Sequence, residues 1–201
     1  SSHPEKVTRM AIEASSEDKV SQRYFQKRGV LTYIQLVGNT KKSLSLLRKM
    51  SLPQKGVKIA LLQKKDITKL IELDRKAHLE DKSSRMHKLF QRPNARKSMR
   101  TFYNGLFKNK SFLVIKVNGK LAGNLGYFLD KKRKLGLIAS VFIAKDYQGM
   151  GLSKLLYLRA LEVFNEHRLP HYLGATTTKG VLAIAQDIGR KDQKWSYLLK
   201  I

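Results

Sequence analysis

The stretch that decides the fold runs from Val141 to Lys154 and reads Val-Phe-Ile-Ala-Lys-Asp-Tyr-Gln-Gly-Met-Gly-Leu-Ser-Lys. Its β-branched and aromatic beginning predicts a strand, Gly149 and Gly151 predict a tight turn, and the apolar spacing that follows predicts a helix. Such a turn directs several backbone N–H groups at one point, at the positive end of the helix dipole. Glycine suits it because a side chain would hold a ligand off the backbone and penalise positive φ. The stretch therefore predicts an anion site, typically for phosphate or pyrophosphate.

The spacing of those glycines sets the turn apart from two common phosphate loops. It does not fit G-x-G-x-x-G, and the chain contains no G-x-x-x-x-G-K-S/T, so the dinucleotide and P-loop interpretations are excluded. The hexapeptide from Gln148 to Ser153 resembles the Gln/Arg-x-x-Gly-x-Gly/Ala signature of the GNAT superfamily of acetyl-CoA-dependent N-acetyltransferases. Its lead-in from Ile143 is similar to that family's V-x-P-x-x-R-G. Two positions depart from the family pattern: Lys145 stands where Pro is usual, and Ser153 stands where Gly or Ala is usual. The alternative is an ordinary connection between a strand and a helix.

The length and composition of the chain fit one globular domain with an appendage. It has 201 residues and no cysteine, which excludes disulfides, thiolate metal sites and cysteine nucleophiles. No apolar run approaches the length of a membrane span, and no signal-peptide pattern opens the sequence. We therefore expect a protein without a transmembrane segment, without a bound metal and with a cytoplasmic location. Because the first residue is Ser rather than Met, we also expect the chain to be a piece of something longer.

The net charge of +26, from 41 basic and 15 acidic residues, is the unusual feature of the composition. A field of this size attracts polyanions such as nucleic acid, the ribosome, an anionic membrane surface or an acidic protein. The segment 82–129 contains no acidic residue and eleven basic ones. The alternative is a solvated basic face in a lysine-rich protein. No zinc-finger, RRM or basic-zipper pattern is present.

The order of elements from Val57 onward is predicted as β-α-α-β-β-β-α-β-α-β. The dipeptide Asn118-Gly119 is a strong hairpin signal between two of the strands. The predicted strands are 57–62, 112–117, 121–129, 135–143, 172–177 and 195–199, and the predicted helices are 67–77, 93–107, 152–167 and 180–188. This order is similar to that of the GNAT fold over roughly three quarters of the chain. The resemblance implies an α/β (α+β) protein with a mixed central sheet.

The resemblance also implies where a cofactor binds. In the family the fourth strand, here 135–143, splays from the fifth, here 172–177, and acetyl-CoA occupies the gap. The pantetheine is then expected against Val141, Phe142 and Ile143, with acetyl-CoA or another acyl-CoA as cosubstrate. The expected contacts of the pyrophosphate and its surroundings are Gln148, Gly149, Met150, Gly151, Leu152, Ser153 and Lys154, with Thr178 where the family usually has Asn.

The residues that would move protons are less evident. The family often uses a Glu on the fourth strand as general base and a Tyr in the last helix as acid, but this chain has no carboxylate on that strand and Ala185 at the Tyr position. The candidates that remain are Ser140, Tyr127 and His171. The alternative for each is a packed or surface residue. On the first helix of the domain, Glu72, Asp74, Glu80 and Asp81 are predicted either to attract a cationic amine or to form a solvated helix face.

The first fifty residues resemble the end of the chain in sequence pattern. The pattern from Asp18 to Val30 resembles the N-x-x-A-x-x-L-Y-x-x-x-G-F ending of GNAT domains, and Gly29 matches Gly189 near the terminus. We therefore hypothesise that residues 1–50 form a β-α-β segment that closes a preceding GNAT repeat, with residues 57–201 as a GNAT acyltransferase domain in a tandem protein. The alternative is an unrelated N-terminal extension.

Three classes of function fit these patterns. The first is an acyl-CoA-dependent N-acyltransferase, most simply an acetyltransferase, that acts by direct transfer on a primary amine of a small molecule or peptide. The second is a catalytically degenerate GNAT domain that binds acyl-CoA or a partner without turnover. The third is a basic module that binds nucleic acid or the ribosome on a GNAT scaffold.

Overall fold

One mixed β-sheet with helices on both faces forms the body of the protein. The structure is a computed structural model, and it describes residues 9–53, 55–80, 90–176 and 179–200. Its strands are β1 (Arg9–Ser15), β2 (Gly29–Asn39), β3 (Val57–Leu61), β4 (Phe112–Val117), β5 (Lys120–Asp130), β6 (Leu135–Ile143), β7 (His171–Thr176) and β8 (Lys191–Lys200). Its α-helices are α1 (Lys19–Arg28), α2 (Thr40–Arg48), α3 (Ile67–Glu80), α4 (Ala95–Lys108), α5 (Leu152–Glu166) and α6 (Lys179–Asp187).

The eight strands lie in the order β1-β8-β2-β7-β6-β5-β4-β3. Every neighbouring pair is antiparallel except β6 and β7, which are parallel. The mixed central sheet predicted from the sequence is therefore confirmed. The turn at Asn118-Gly119 has φ values of 49° and 78°, which only a type I′ hairpin requires at both positions.

Two apolar cores form on opposite faces of the sheet because successive strand residues point to opposite sides. Along β4, Leu113 and Ile115 pack under α2 and α5, whereas Phe112 and Val114 pack under α3 and α4. The face that carries α2 and α5 also contacts α6, since Ile184 of that helix and Ile188 just after it pack in the same cluster. The helices on either side of the sheet thus define two separate approaches to its strands.

The β-α-β segments at the two ends of the chain are related by an approximate local twofold axis between β2 and β8. Ile34 pairs with Trp195 and Gln35 pairs with Lys194, and the equivalent positions Ile34 and Lys194 are 160 residues apart, as are Gln35 and Trp195. The described part of this segment, from Arg9 onward, is thereby integrated into the sheet, with β2 between β8 and β7. Its origin as the end of a preceding repeat stays a prediction, and the local symmetry is what such an origin would produce.

Local pairing corrects some predicted bounds. The last strand, predicted at 195–199, covers Lys191–Lys200 because β8 pairs with both β1 and β2 and is held along its whole length. Helix α2 begins at Thr40, where the Asn39 side chain accepts a hydrogen bond from the Lys42 N–H at 2.9 Å. This is the cap that an Asn supplies at a helix start.

Among the described residues, no helix combines the length and apolarity that a membrane crossing requires.

Candidate functional site

A gap opens in the sheet between β6 and β7. The two strands pair only at Leu135 with His171, Gly136 with Tyr172 and Leu137 with Leu173. Beyond that point β6 continues to Ile143 along β5, whereas β7 turns to β2 as its partner as far as Thr176. The gap is therefore V-shaped, closed at the starts of both strands and open towards their ends.

A β-bulge in β6 lies at the apex of this gap. Gly126 pairs with Ser140 and Tyr127 pairs with Ile138, which leaves Ala139 as an extra residue on β6. A bulge bends its strand and increases its twist, so it directs the following residues away from the neighbouring strand. The pairing with β7 ends one residue before Ile138, at Leu137. The bulge thus accounts for the splayed strands that the family resemblance implied.

The glycine turn stands at the open end of the gap and leads into α5. Gly149 and Gly151 have φ values of 80° and 73°, a conformation that strains any residue with a side chain. Within the described part of the chain, no acceptor is found for the backbone N–H groups of residues 149–153, five in succession. The first N–H groups of a helix lack intrahelical partners and favour an anion. The turn is therefore built to receive a negatively charged group.

Three contacts fix the turn in place. The Gln148 side-chain amide donates to the Ile143 carbonyl at 3.0 Å, which ties the turn back to the end of β6. A Cβ placed on Gly151 would lie 3.5 Å from Pro53, so the loop before β3 borders the turn. The Lys154 ammonium lies 2.8 Å from Asp187 and links α5 to α6 across the gap. Thr178, predicted to border the cofactor, lies outside the described residues.

The three predicted catalytic residues occupy different places. Ser140 lies beside the bulge and faces the side of α3 and α4, where its hydroxyl has no hydrogen-bond partner among the described residues. Tyr127 faces the opposite side, where its ring meets Phe164 edge-on and its hydroxyl donates to the Lys110 carbonyl at 3.3 Å. Burial raises the pKa of Tyr127. His171 is exposed at the closed end of the gap. Only Ser140 lies at the gap itself, next to the bulge.

Two acidic residues of α3, Glu72 and Asp74, contact side chains of α4. The Tyr103 hydroxyl donates to Asp74, and Arg96 contacts Glu72. Burial, and then the negative charge of Asp74, raise the pKa of Tyr103 far above its usual range. Glu80 pairs with Lys76, and Asp81 lies outside the described residues. The face of the sheet that Ser140 points to is thus bordered by carboxylates held in place by α4.

No sequence pattern singles out Arg190, which is only 5% exposed. Its guanidinium donates to the carbonyls of Leu36 and Gly174 and to the hydroxyl of Tyr157, at 2.9, 3.3 and 3.2 Å. It also lies 5.1 Å from the ring centre of Tyr172. Its Nε has no partner among the described residues. The available signal was Gly174, because glycine within a strand often marks a place where another group approaches closely.

Comparison with known proteins assigns this arrangement to a family. A model of the acetyltransferase (GNAT) family matches residues 68–186, more than half of the chain. The chain belongs to the GNAT acetyltransferase family. The matched region of this GNAT protein includes the bulge, the gap and the glycine turn. No curated protein matches the chain.

Solved structures agree with this assignment at the level of the fold. A GCN5-related N-acetyltransferase from Sphaerobacter thermophilus matches with TM-score 0.62 and 11% identity, over 96% of this chain and 60% of that one. A GNAT-family acetyltransferase from Colwellia psychrerythraea matches with TM-score 0.60 and 12% identity, over 94% and 65%. A tandem GNAT protein from the clavulanic acid biosynthesis pathway matches with TM-score 0.63 and 10% identity, over 96% and 64%. The chain thus spans less than two thirds of each of these three proteins.

Proposed function

We propose that this GNAT protein binds acetyl-CoA, or another acyl-CoA, in the gap between β6 and β7 and transfers the acyl group to a primary amine. The observation that carries the proposal is the position of the glycine turn. It presents five N–H groups without acceptors at the open end of the only parallel strand pair in the described sheet. The pantetheine arm, lying along the free edge of β6, would then connect a pyrophosphate at the turn to a thioester beside the bulge.

The edge of β6 suits the pantetheine arm. From Ile138 to Ile143 the strand has β5 on one side and no strand on the other within the described part of the chain. Backbone groups on such an edge pair readily with the amides of an extended ligand, as they do with an added strand. The expected contacts at Val141, Phe142 and Ile143 stay a prediction, and this free edge supports them.

The acceptor amine would approach from the side of α3 and α4. The glycine turn leads into α5, which packs on the other face, so the donor and the acceptor would meet at the gap from opposite sides. Glu72 and Asp74 border the acceptor side and would attract a cationic amine. Holding amine and thioester together supplies much of the rate, because it converts a bimolecular step into an intramolecular one. Of the catalytic candidates, Ser140 has the position to hydrogen-bond at the reacting carbonyl.

A titration with acetyl-CoA, followed by calorimetry, tests the binding part of the proposal. Gly149→Ala should weaken binding by roughly tenfold or more, because alanine strains the positive φ that aims the N–H groups. Gly105→Ala is the matched control, since a Cβ meets nothing within 4 Å at either glycine and only Gly149 has positive φ. Equal affinity of the two variants would contradict the assigned pyrophosphate site.

Release of free thiol from acetyl-CoA in the presence of a panel of primary amines tests the transfer itself. The panel should include small amines and peptides with free amino groups, since the proposal covers both. Thiol release that depends on the amine supports an acyltransferase. Binding of acetyl-CoA without release, for every amine, would instead support the degenerate domain.

A further inference from the structure

Arg190 is a buried cation whose partners within the described chain are all neutral. Two are backbone carbonyls, one is the Tyr157 hydroxyl, and two are the aromatic rings of Tyr157 and Tyr172. Lys154 and Asp187, on the flanking helices, are paired with each other at 2.8 Å. Taking a guanidinium out of water is costly unless an anion or a full set of hydrogen bonds compensates it. Here the Nε donor is left without a partner.

The guanidinium lies at the apex of the gap between β6 and β7. A Cβ built on Gly174 would lie 2.8 Å from Arg190 Nη2 and 3.3 Å from the Cβ of Ile138. Gly174 and Ile138 are the first residues beyond the last β6–β7 pair, Leu137 with Leu173. The cation therefore stands where the two strands separate, next to the bulge at Ala139. Glycine at position 174 is what allows it to come so close.

We infer that Arg190 stabilises the negative charge that develops on the sulfur of the departing CoA. The inference rests on the proposed function, which places the thioester beside the bulge. The amine nitrogen attacks the thioester carbonyl and forms the C–N bond, and then the C–S bond breaks with its electron pair on sulfur. The products are the amide, the CoA thiolate and one proton, which leaves from the amine nitrogen.

A guanidinium suits this step because it stays charged across the working pH range and gives up no proton. A free thiol ionises near a pKa of about 8.5, so its anion is only modestly unfavourable at neutral pH. A nearby cation in a site of low dielectric favours that anion far more than it would in water. Ala185 stands at the position where the family usually has an acidic Tyr, and it is buried against Ile34 and Leu36 of β2. Arg190 would stabilise the thiolate in place of that missing acid.

The test is the pKa of the thiol of bound CoA, followed through the ultraviolet absorbance of the thiolate. In the unchanged protein we expect a value below that of free CoA. Arg190→Gln should return it towards the free value by about one unit or more, a tenfold change in the ionisation constant. Arg190→Lys should keep most of the effect because the charge remains. Binding of desulfo-CoA, which has no thiol, should be similar in all three proteins.

A second variant guards against loss of folding in Arg190→Gln. Gly174→Ala keeps the arginine but places a Cβ 2.8 Å from its Nη2, so the guanidinium must move. Its bound CoA should also show a raised thiol pKa. A thiol pKa that is the same in the unchanged protein and in these variants overturns the inference. Failure of CoA to bind to the unchanged protein overturns the proposed function instead, so the two failures are distinguished.

Discussion

The ammonium of Lys154 lies 2.8 Å from a carboxylate oxygen of Asp187, and this contact joins the two helices that flank the gap. Lys154 is in the first turn of α5, directly after the glycine turn. In the absence of a ligand, the carboxylate therefore competes for a cation that an anion at the turn would use. We therefore expect the Lys154–Asp187 pair to stabilise the ligand-free turn and to weaken the binding of CoA.

Asp187→Asn should strengthen CoA binding by about two- to tenfold, because it removes a negative charge near the anion site and releases the lysine. The effect on unfolding free energy should stay within about 1 kcal/mol, since the pair is partly exposed. Calorimetric titration at low and high salt measures this, and the gain should shrink as salt screens the charges. Glu166→Gln, at an exposed carboxylate on the far end of α5, is the control. Weaker binding in Asp187→Asn would contradict the prediction.

Ser140→Ala separates a catalytic hydroxyl from a structural one. The buried hydroxyl has no hydrogen-bond partner in the described structure, so its removal should leave stability unchanged or raise it by roughly 1 kcal/mol. If the hydroxyl contacts the reacting carbonyl, the rate of thiol release should fall by about tenfold or more. Tyr127→Phe is the comparison, since that hydroxyl bonds to Lys110 on the other side of the sheet. An unchanged rate in Ser140→Ala would remove Ser140 from the candidates.

The buried hydroxyl of Tyr172 should lower the free energy of unfolding at alkaline pH. Burial raises the pKa of Tyr172 to about 12, and its hydroxyl donates to Ser43 at 2.9 Å. Because the folded pKa exceeds the unfolded value of about 10, the group stabilises the fold fully below pH 10. That contribution, about 2 to 3 kcal/mol, is lost as the pH rises from 10 to 12.

Urea unfolding of Tyr172→Phe at about pH 9 and about pH 11 measures this contribution. The variant is expected to be less stable than the unchanged protein at the lower pH, because the hydrogen bond to Ser43 is gone. Its further loss between the two pH values should be smaller, since one tyrosine no longer titrates. Tyr24→Phe, at an exposed tyrosine, should follow the unchanged protein. Parallel curves for Tyr172→Phe and the unchanged protein would contradict the assigned shift.

Local patterns predicted most elements of this fold, because their signals are local. The helix Leu152–Glu166 and the type I′ turn at Asn118-Gly119 follow directly from apolar spacing and turn chemistry. The place of β2 between β7 and β8 could not be predicted, since its pairs join residues from 132 positions apart (Asn39 with His171) to 170 positions apart (Gly29 with Leu199). The burial of Arg190 could not be predicted from the sequence either. An arginine after a helix end is usually solvent-exposed. Only the folded structure shows that this one packs against Tyr157, Tyr172 and Gly174.

The local twofold between the terminal segments makes a prediction about the natural transcript. In the C-terminal copy, β7 pairs on its outer edge with β6, the strand that leads into the glycine turn. If β1 is the equivalent of β7, a strand of the same kind belongs beside β1. We expect the full-length transcript to encode a second strand, glycine turn and helix upstream of Ser1. A transcript without that motif would contradict the tandem hypothesis for residues 1–50.

The bulge at Ala139 provides the most direct test of how the sequence opens the gap. Deletion of Ala139 removes the extra residue and keeps the alternation of side chains on β6, because the bulge is where two residues oppose one. The strand should then straighten and continue its pairing with β7 past Leu137. We expect a protein that folds with little loss of stability and binds acetyl-CoA at least about tenfold more weakly.

Calorimetric titration and the urea midpoint together decide the outcome. Ala139→Ser keeps the chain length and changes only an exposed side chain, so it should bind as the unchanged protein does. If the deletion variant folds and binds acetyl-CoA normally, the splay of β6 from β7 does not depend on the bulge. The separation would then have to come from the groups that fill the apex, above all Arg190, whose Nη2 lies 2.8 Å from a Cβ placed on Gly174. Combining the deletion with Arg190→Gln would show which of the two holds the strands apart.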